Sequence, residues 1–505
     1  MNDTTHGAKP KPDLVASAPV HHPVRRARDL RLDFFRGLAM FIILMAHIPG
    51  NAWTLWIPAR FGFSDATEIF VFCSGLASSL AFGTVFRDRG FGLGAARIGF
   101  RLWQVYWAHV GLVIVVTALM SGFDLSGWGA DGVRYLATLP LIPWTDHFEA
   151  ALIGLLTLTW VPNYFDILPM YLAILAMIPA VMLAHRVGGR IAVAAVVFGV
   201  WGVAQTGALD LPSRPWLDHL PWFFNPFGWQ LVFFTGFAFG IGWIPAPPRS
   251  RRLAWLAAAV LAISLPLSWH KIHEGLWLPE GAIQAAIVSV REATEPLWAK
   301  TPFGVLRWVH FLGLAYLAWL WAGDGGARLR APLGLPRPAR RGWLIACGVV
   351  ALLTAPYAYL QEIHAHAPAL DAAILAIYGD GAQAVFGTDL LLSDARIGMP
   401  QLAHLIALVV LVWASIPAGA RAFARTDLWF GAVEVIRKVG SQSLAVFLMS
   451  MALAQVGGFA LDIVGSDVWT RGLVNLCGIG MLVGTAYGVG WIKRQPWRAP
   501  PKGLG

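Results

Sequence analysis

The sequence predicts an all-α, polytopic integral membrane bundle of about twelve transmembrane helices (ten to twelve), and three observations carry that expectation. Hydrophobic residues make up 57% of the 505 and charged residues only 13%, about half the charged share of a soluble domain. Apolar segments that span a bilayer, or nearly so by the roughly 20-residue criterion, lie at 34–48, 66–84, 101–121, 166–185, 191–207, 226–244, 252–270, 304–322, 343–360, 402–422, 443–463 and 472–492. The connecting segments then alternate in charge. Those assigned inside (1–36, 85–101, 186–190, 245–252, 323–342, 421–442 and 493–505) hold 29 of the 38 Lys and Arg and a net charge of +21, against −11 on the other side. Short cytoplasmic loops keep Lys and Arg, and a missed or invented helix would invert every later loop. None inverts, so both termini are expected in the cytoplasm, with 1–30 a disordered tail and 493–505 a short basic one.

The same composition argues against other classes. Cys73, Cys347 and Cys477 each sit in an apolar run with no His or Cys at ligand spacing, which indicates neither a disulfide framework nor a metal site. The basic run of Arg25, Arg26 and Arg28 beside the first helix reads as a topology signal, not as a nucleic-acid site. No small-residue cleavage site follows that helix, so it is expected to stay.

The first segment has ionisable groups at both ends: Arg31, Asp33 and Arg36 at one, His47 at the other, just before Pro49 and Gly50. Eleven residues separate Arg36 from His47, a rise of ~16 Å that returns to nearly the same face. Asp33, Arg36, Met40, Ile43 and His47 thus form one stripe. Charge in a membrane helix is costly, so such a stripe is expected to face protein or a wet cavity. Imidazole titrates near neutrality and suits a general base, although a His bonded to a backbone carbonyl fits the position as well.

The second segment brings Asp65 and Glu68, three residues apart on one face, to the level of His47. Either carboxylate could orient the imidazole; Asp65 also reads as a helix-start charge. Arg97 and Arg101 follow at the inner side with Arg87 and Arg89. Guanidinium forks suit phosphates, and the topology rule also expects arginines there. Outer segments 122–165, 271–303 and 361–401 are long enough to carry structure or function; the first holds a dipping or amphipathic stretch at 148–160. Asn163 and Asp166 precede the fourth segment, Asn225 and Trp229 open the sixth, and His310 lies in the eighth. Each is a candidate substrate-binding group or a structural one. Trp103, Trp107, Trp160, Trp222 and Trp229 read mainly as interfacial anchors, with a minority free to stack on sugar rings. The segment at 191–207, counted among the twelve, also fits a short or re-entrant helix.

These residues form a familiar pattern. Arg31 through Gly37 and on to His47, then Pro58 through Gly75, resemble the OpgC family of osmoregulated periplasmic glucan succinyltransferases. Weaker echoes follow at Asn225 to Gln230, Leu306 to His310 and Lys438 to Phe447, so the resemblance spans most of 30–450. OpgC proteins are similar to the broader type 3 membrane acyltransferases, whose first-helix Arg and Gly followed eleven residues later by His is met by Arg36 and His47. The resemblance implies acyl transfer from cytosolic acyl-CoA to a sugar hydroxyl on the outer side, with His47 catalytic and Arg36 binding the donor. On that reading 31–492 is one acyltransferase domain, acyl-CoA is a donor substrate with no permanently bound cofactor, and the partners are a periplasmic glucan, membrane lipids and, as an open candidate, a second copy of the chain. Acetyl or another acyl group, and another envelope sugar, stay as alternatives. A transporter or flippase is the competing class; it predicts midplane sites on broken helices and repeat symmetry, whereas the ionisable groups here gather in the first two segments and at outer ends.

Overall fold

Among the described residues, each long apolar segment is helical over most of its length. The computed structural model describes residues 29–214, 216, 220–274, 281–334, 341–358 and 399–497; the tail at 1–28, the end at 498–505 and most of the outer segment 361–401 lie outside them. The helices that matter here are α1 (Leu30–His47), α2 (Ala66–Ser78), α3 (Phe91–Ser126), α4 (Phe148–Thr157), α5 (Ile167–Ala204), α6 (Pro226–Ile241), α7 (Arg251–Ser268), α8 (Ala282–Ala293), α9 (Val305–Ala322), α10 (Arg341–Ala358), α11 (Met399–Ser415), α12 (Trp429–Ser441), α13 (Ser443–Val464) and α14 (Val468–Lys493). α2 runs on through a wider turn, Ser79–Gly83, to Arg89. No strand occurs among the described residues.

Seven helices among the described residues are long and apolar enough to cross a membrane, or eight if the pair bent by 107° at residues 416–417 is one span. The difference from twelve has physical reasons. α1 carries Arg31, Asp33 and Arg36 in its 18 residues, and α6 is only 16 residues long. α5 accounts for two expected segments, because its backbone leaves the helix at Gly188 and Gly189, the latter at φ 64. Before the break Tyr171 lies against Phe233 and His185 stacks on Trp243. After it, Arg190 donates to the Trp243 carbonyl and the Val197 carbonyl accepts from Gln230. The chain therefore reverses there, and both arms flank α6. A helix that is apolar all round belongs in a core, and α6 is buried from Pro226 to Ala238 but for Phe227.

Two close helix crossings organise the centre. A Cβ on Gly75 would lie 2.0 Å from the Phe233 carbonyl oxygen, and one on Gly236 would lie 2.2 Å from that of Phe72, which fixes α2 to α6. Gly37 meets Ile436 and Gly440 meets Asp33 in the same way, which fixes α1 to α12. Small residues let backbones approach where lipid offers no hydrophobic drive between helices. At its other end α1 is tied to α14: Asn51 and Asn475 exchange two side-chain hydrogen bonds of 3.0 Å each.

Loops expected on one side meet one another. Arg31 donates to the Gly323 carbonyl, Arg249 pairs with Asp324, and Leu333 donates to the Arg425 carbonyl. Lys300 pairs with Asp65, and Asn225 donates to the Thr301 carbonyl. The bundle thus has an Arg36 end and a His47 end.

Candidate active site at the His47 end

The stripe read from α1 faces protein. Asp33, Met40 and Ile43 are 3%, 0% and 3% exposed, while Arg36 and His47 at its ends are partly exposed. Packed Met40 and Ile43 close the line between the two ends. His47 Nδ1 lies 2.7 Å from the Ile43 carbonyl oxygen, one turn back. A carbonyl only accepts, so Nδ1 carries the proton and the Nε2 lone pair is left for a substrate. The Tyr164 ring stands edge-on to the imidazole at 5.5 Å. Tyr164 is held at φ 104 while its hydroxyl donates to the Met451 carbonyl; positive φ in a bulky residue is strain of the kind that gathers at functional sites.

Four helix starts converge beside it, those of α2, α5, α6 and α9. Asp65 caps α2 by accepting from the Thr67 amide at 2.6 Å, and Glu68 reaches back to the Asp65 amide at 2.8 Å. Lys300 Nζ lies 2.7 Å from Asp65 Oδ2, and Arg307 Nε bonds Glu68. The expected carboxylate support for the imidazole is therefore absent: the imidazole N–H goes to Ile43, and both acids are committed to the helix cap and to two cations. Asp65 and Lys300 nonetheless lie within electrostatic reach of His47.

The other expected residues divide. Asp166 is 2% exposed, its Oδ2 is buried without a hydrogen-bond partner, and Lys300 is within electrostatic reach. Asn163 is exposed and accepts from the Tyr164 amide. Trp229 and Asn225, 0% and 1% exposed, stand as struts whose polar groups are spent within the protein, Asn225 on Asp210 and on the Phe227 amide. Trp229 Nε1 donates to the Lys300 carbonyl, and the backbone N–H of Asn225 to that of Thr301. His310 is also internal, with Nδ1 2.7 Å from Ser64 Oγ and Gly62 against Nε2. Trp160 and Trp222, read as interfacial, are buried as well, whereas Trp103 and Trp107 are exposed.

At the Arg36 end, Arg36 donates to Ser443 Oγ at 2.5 Å. A pocket of about 650 Å³ opens nearby between α12 and α14, lined by Asp33, Arg437, Lys438, Ser441, Trp491 and Arg494 among others. Arg97 and Arg101 do not line it: Arg97 is exposed on α3 and Arg101 donates to Gln104 of its own helix.

The family model described as OpgC protein matches residues 28–352 and again 333–494. The chain belongs to the OpgC family. No curated protein and no solved structure matches it. Membership makes this OpgC protein an enzyme of the acyltransferase type, in keeping with its long apolar helices.

Sequence reasoning missed Lys300 and the Arg437, Lys438 and Arg494 cluster. Lys300 lies 235 residues from the acid it pairs with, in a stretch without a motif. Arg437 and Lys438 stand on an amphipathic helix that reads, from sequence, as a charged loop; the only signal was the family echo beginning at Lys438.

Proposed function

We propose that this OpgC protein moves a succinyl group from cytosolic acyl-CoA to a hydroxyl of a periplasmic glucan, with His47 as general base. The supporting observation is the tautomer that the Ile43 carbonyl imposes, which leaves Nε2 free to accept a proton. On this reading the His47 end faces the periplasm of a multi-pass protein of the bacterial cytoplasmic membrane, with about twelve crossings and both termini inside. Nε2 takes the hydroxyl proton as the sugar oxygen attacks the thioester carbonyl. The tetrahedral adduct then collapses, the C–S bond breaks, and the departing thiolate takes the proton back from the imidazolium. Asp166, with a buried oxygen to satisfy, holds a neighbouring sugar hydroxyl. Arg36 and the Arg437, Lys438 and Arg494 pocket hold the donor's phosphates, replacing the Arg97 and Arg101 assignment. The pantetheine arm then threads along α1 past Met40, whose flexible thioether chain yields more readily than a branched one.

The test uses the purified full chain in lipid nanodiscs with succinyl-CoA and glucan, read by the mass increment on the glucan. Wild type adds succinyl groups, and His47→Ala, inserted and folded, falls by about 10²–10⁴-fold. A variant that succinylates at the wild-type rate removes His47 from the mechanism.

A further inference from the structure

Lys300 has no task in the steps above, yet its surroundings are built around it. The carbonyls of four successive residues are each held: Lys300 by Trp229 Nε1 at 2.9 Å, Thr301 by the Asn225 amide at 3.2 Å, Pro302 by Gln205 Nε2 at 2.7 Å and Phe303 by Trp201 Nε1 at 2.9 Å. Phe303, fully buried, is kept at φ 60 by that clamp. Held strain of this kind marks an over-determined position.

The ammonium carried on this clamped backbone has three donors, and Asp65 takes one at 2.7 Å. The rings of Phe223 and Phe224 lie 5.8 and 5.4 Å from Nζ. Its side chain is 30% exposed, whereas that of Arg307, the neighbouring cation, is 8% exposed and bound to Glu68. Four helix N-termini add positive potential at this end. Lys300 shares Asp65 Oδ2 with Arg307, 3.8 Å from it, and its charge is felt at Asp166, Glu68 and His47; the donors that Asp65 leaves over suit an anion. A donor arriving from the Arg36 end places its thioester at His47, so the part that extends furthest towards Lys300 is the far end of the acyl chain.

We infer that Lys300 receives a carboxylate at the far end of the transferred acyl group, with the two phenylalanine faces lining the methylene chain, and so selects a dicarboxylic acyl donor over a neutral one. This rests on the proposed acyl transfer. It makes Lys300 a specificity residue, distinct from the base.

Succinyl-CoA and acetyl-CoA are supplied in parallel to wild type, Lys300→Met and Lys300→Arg, in nanodiscs with glucan. The succinyl-to-acetyl ratio of kcat/KM falls by about 10- to 100-fold in Lys300→Met, the scale of one charge-assisted hydrogen bond, and is largely restored in Lys300→Arg. An unchanged ratio, or an equal fall for both donors, overturns the inference; the latter assigns Lys300 to the reacting carbonyl or to the fold. Equilibrium binding separates this from failure of the proposed function. If wild type transfers neither group, that function falls, and Lys300 is then judged by affinity: succinyl-CoA must bind more tightly than acetyl-CoA and the gap must close in Lys300→Met, any other result refuting the assignment.

Discussion

Glu68 and Arg307 meet almost out of reach of water, at 0% and 8% side-chain exposure. Removing one partner of such a pair strands a buried charge and costs about 3–5 kcal/mol, whereas neutralising both is far milder. Arg307→Met is therefore expected to lower the unfolding midpoint in detergent markedly, and Glu68→Gln added to it to recover most of the loss. A single variant that melts with wild type would show the pair to be dispensable. From sequence Glu68 could be seen to need a partner. That the partner is Arg307, 239 residues on, lies beyond any spacing rule, so the imidazole at the same level drew the assignment. Trp229 and Asn225 misled for a related reason, since a polar or aromatic group at a helix start reads alike whether it turns to a ligand or to a neighbouring backbone.

Among the elements, α1 was the most legible, because a 3.6-residue period carries Asp33, Met40, Ile43 and His47 without reference to the rest of the chain. Its partner α12 was not, because Glu434, Arg437 and Lys438 depress the hydropathy that would announce a helix. The crossing between them has a sharp signature. Gly440→Ala would set a Cβ 1.8 Å from the Asp33 carbonyl oxygen, while Gly431 on the same helix has nothing within 4 Å. Gly440→Ala should cut the yield of folded protein and lower its melting temperature. Gly431→Ala should be neutral or stabilising by up to ~1 kcal/mol, the helical advantage of alanine. Equal behaviour of the two would mean that α1 and α12 do not touch as described.

For the whole molecule, the alternation of charge was readable because it sums over many loops, and the loop contacts described above join segments assigned to the same side. The double glycine at 188–189 is what breaks one long helix into two arms, and composition marked it through the flanking Arg186 and Arg190. Single cysteines placed at 323–334, in a background lacking Cys73, Cys347 and Cys477, are expected to react with an impermeant reagent only from the cytoplasmic side. Labelling from outside would reverse the proposed orientation.

The paired amides of Asn51 and Asn475 carry a mechanical consequence. With that lock beyond its last turn and glycine contacts near its first, α1 cannot ratchet along its axis, since a shift of one residue, ~1.5 Å, would undo both ends at once. The rod bearing His47 is thereby held at both ends, and on the proposed acyl transfer the donor is admitted by side chains swinging aside around it. If the proposed donor path runs past Met40, Met40→Ile, branched at Cβ, raises KM for the donor several-fold, whereas Asn51→Asp loosens the rod and lowers kcat, which stopped-flow with each variant tells apart.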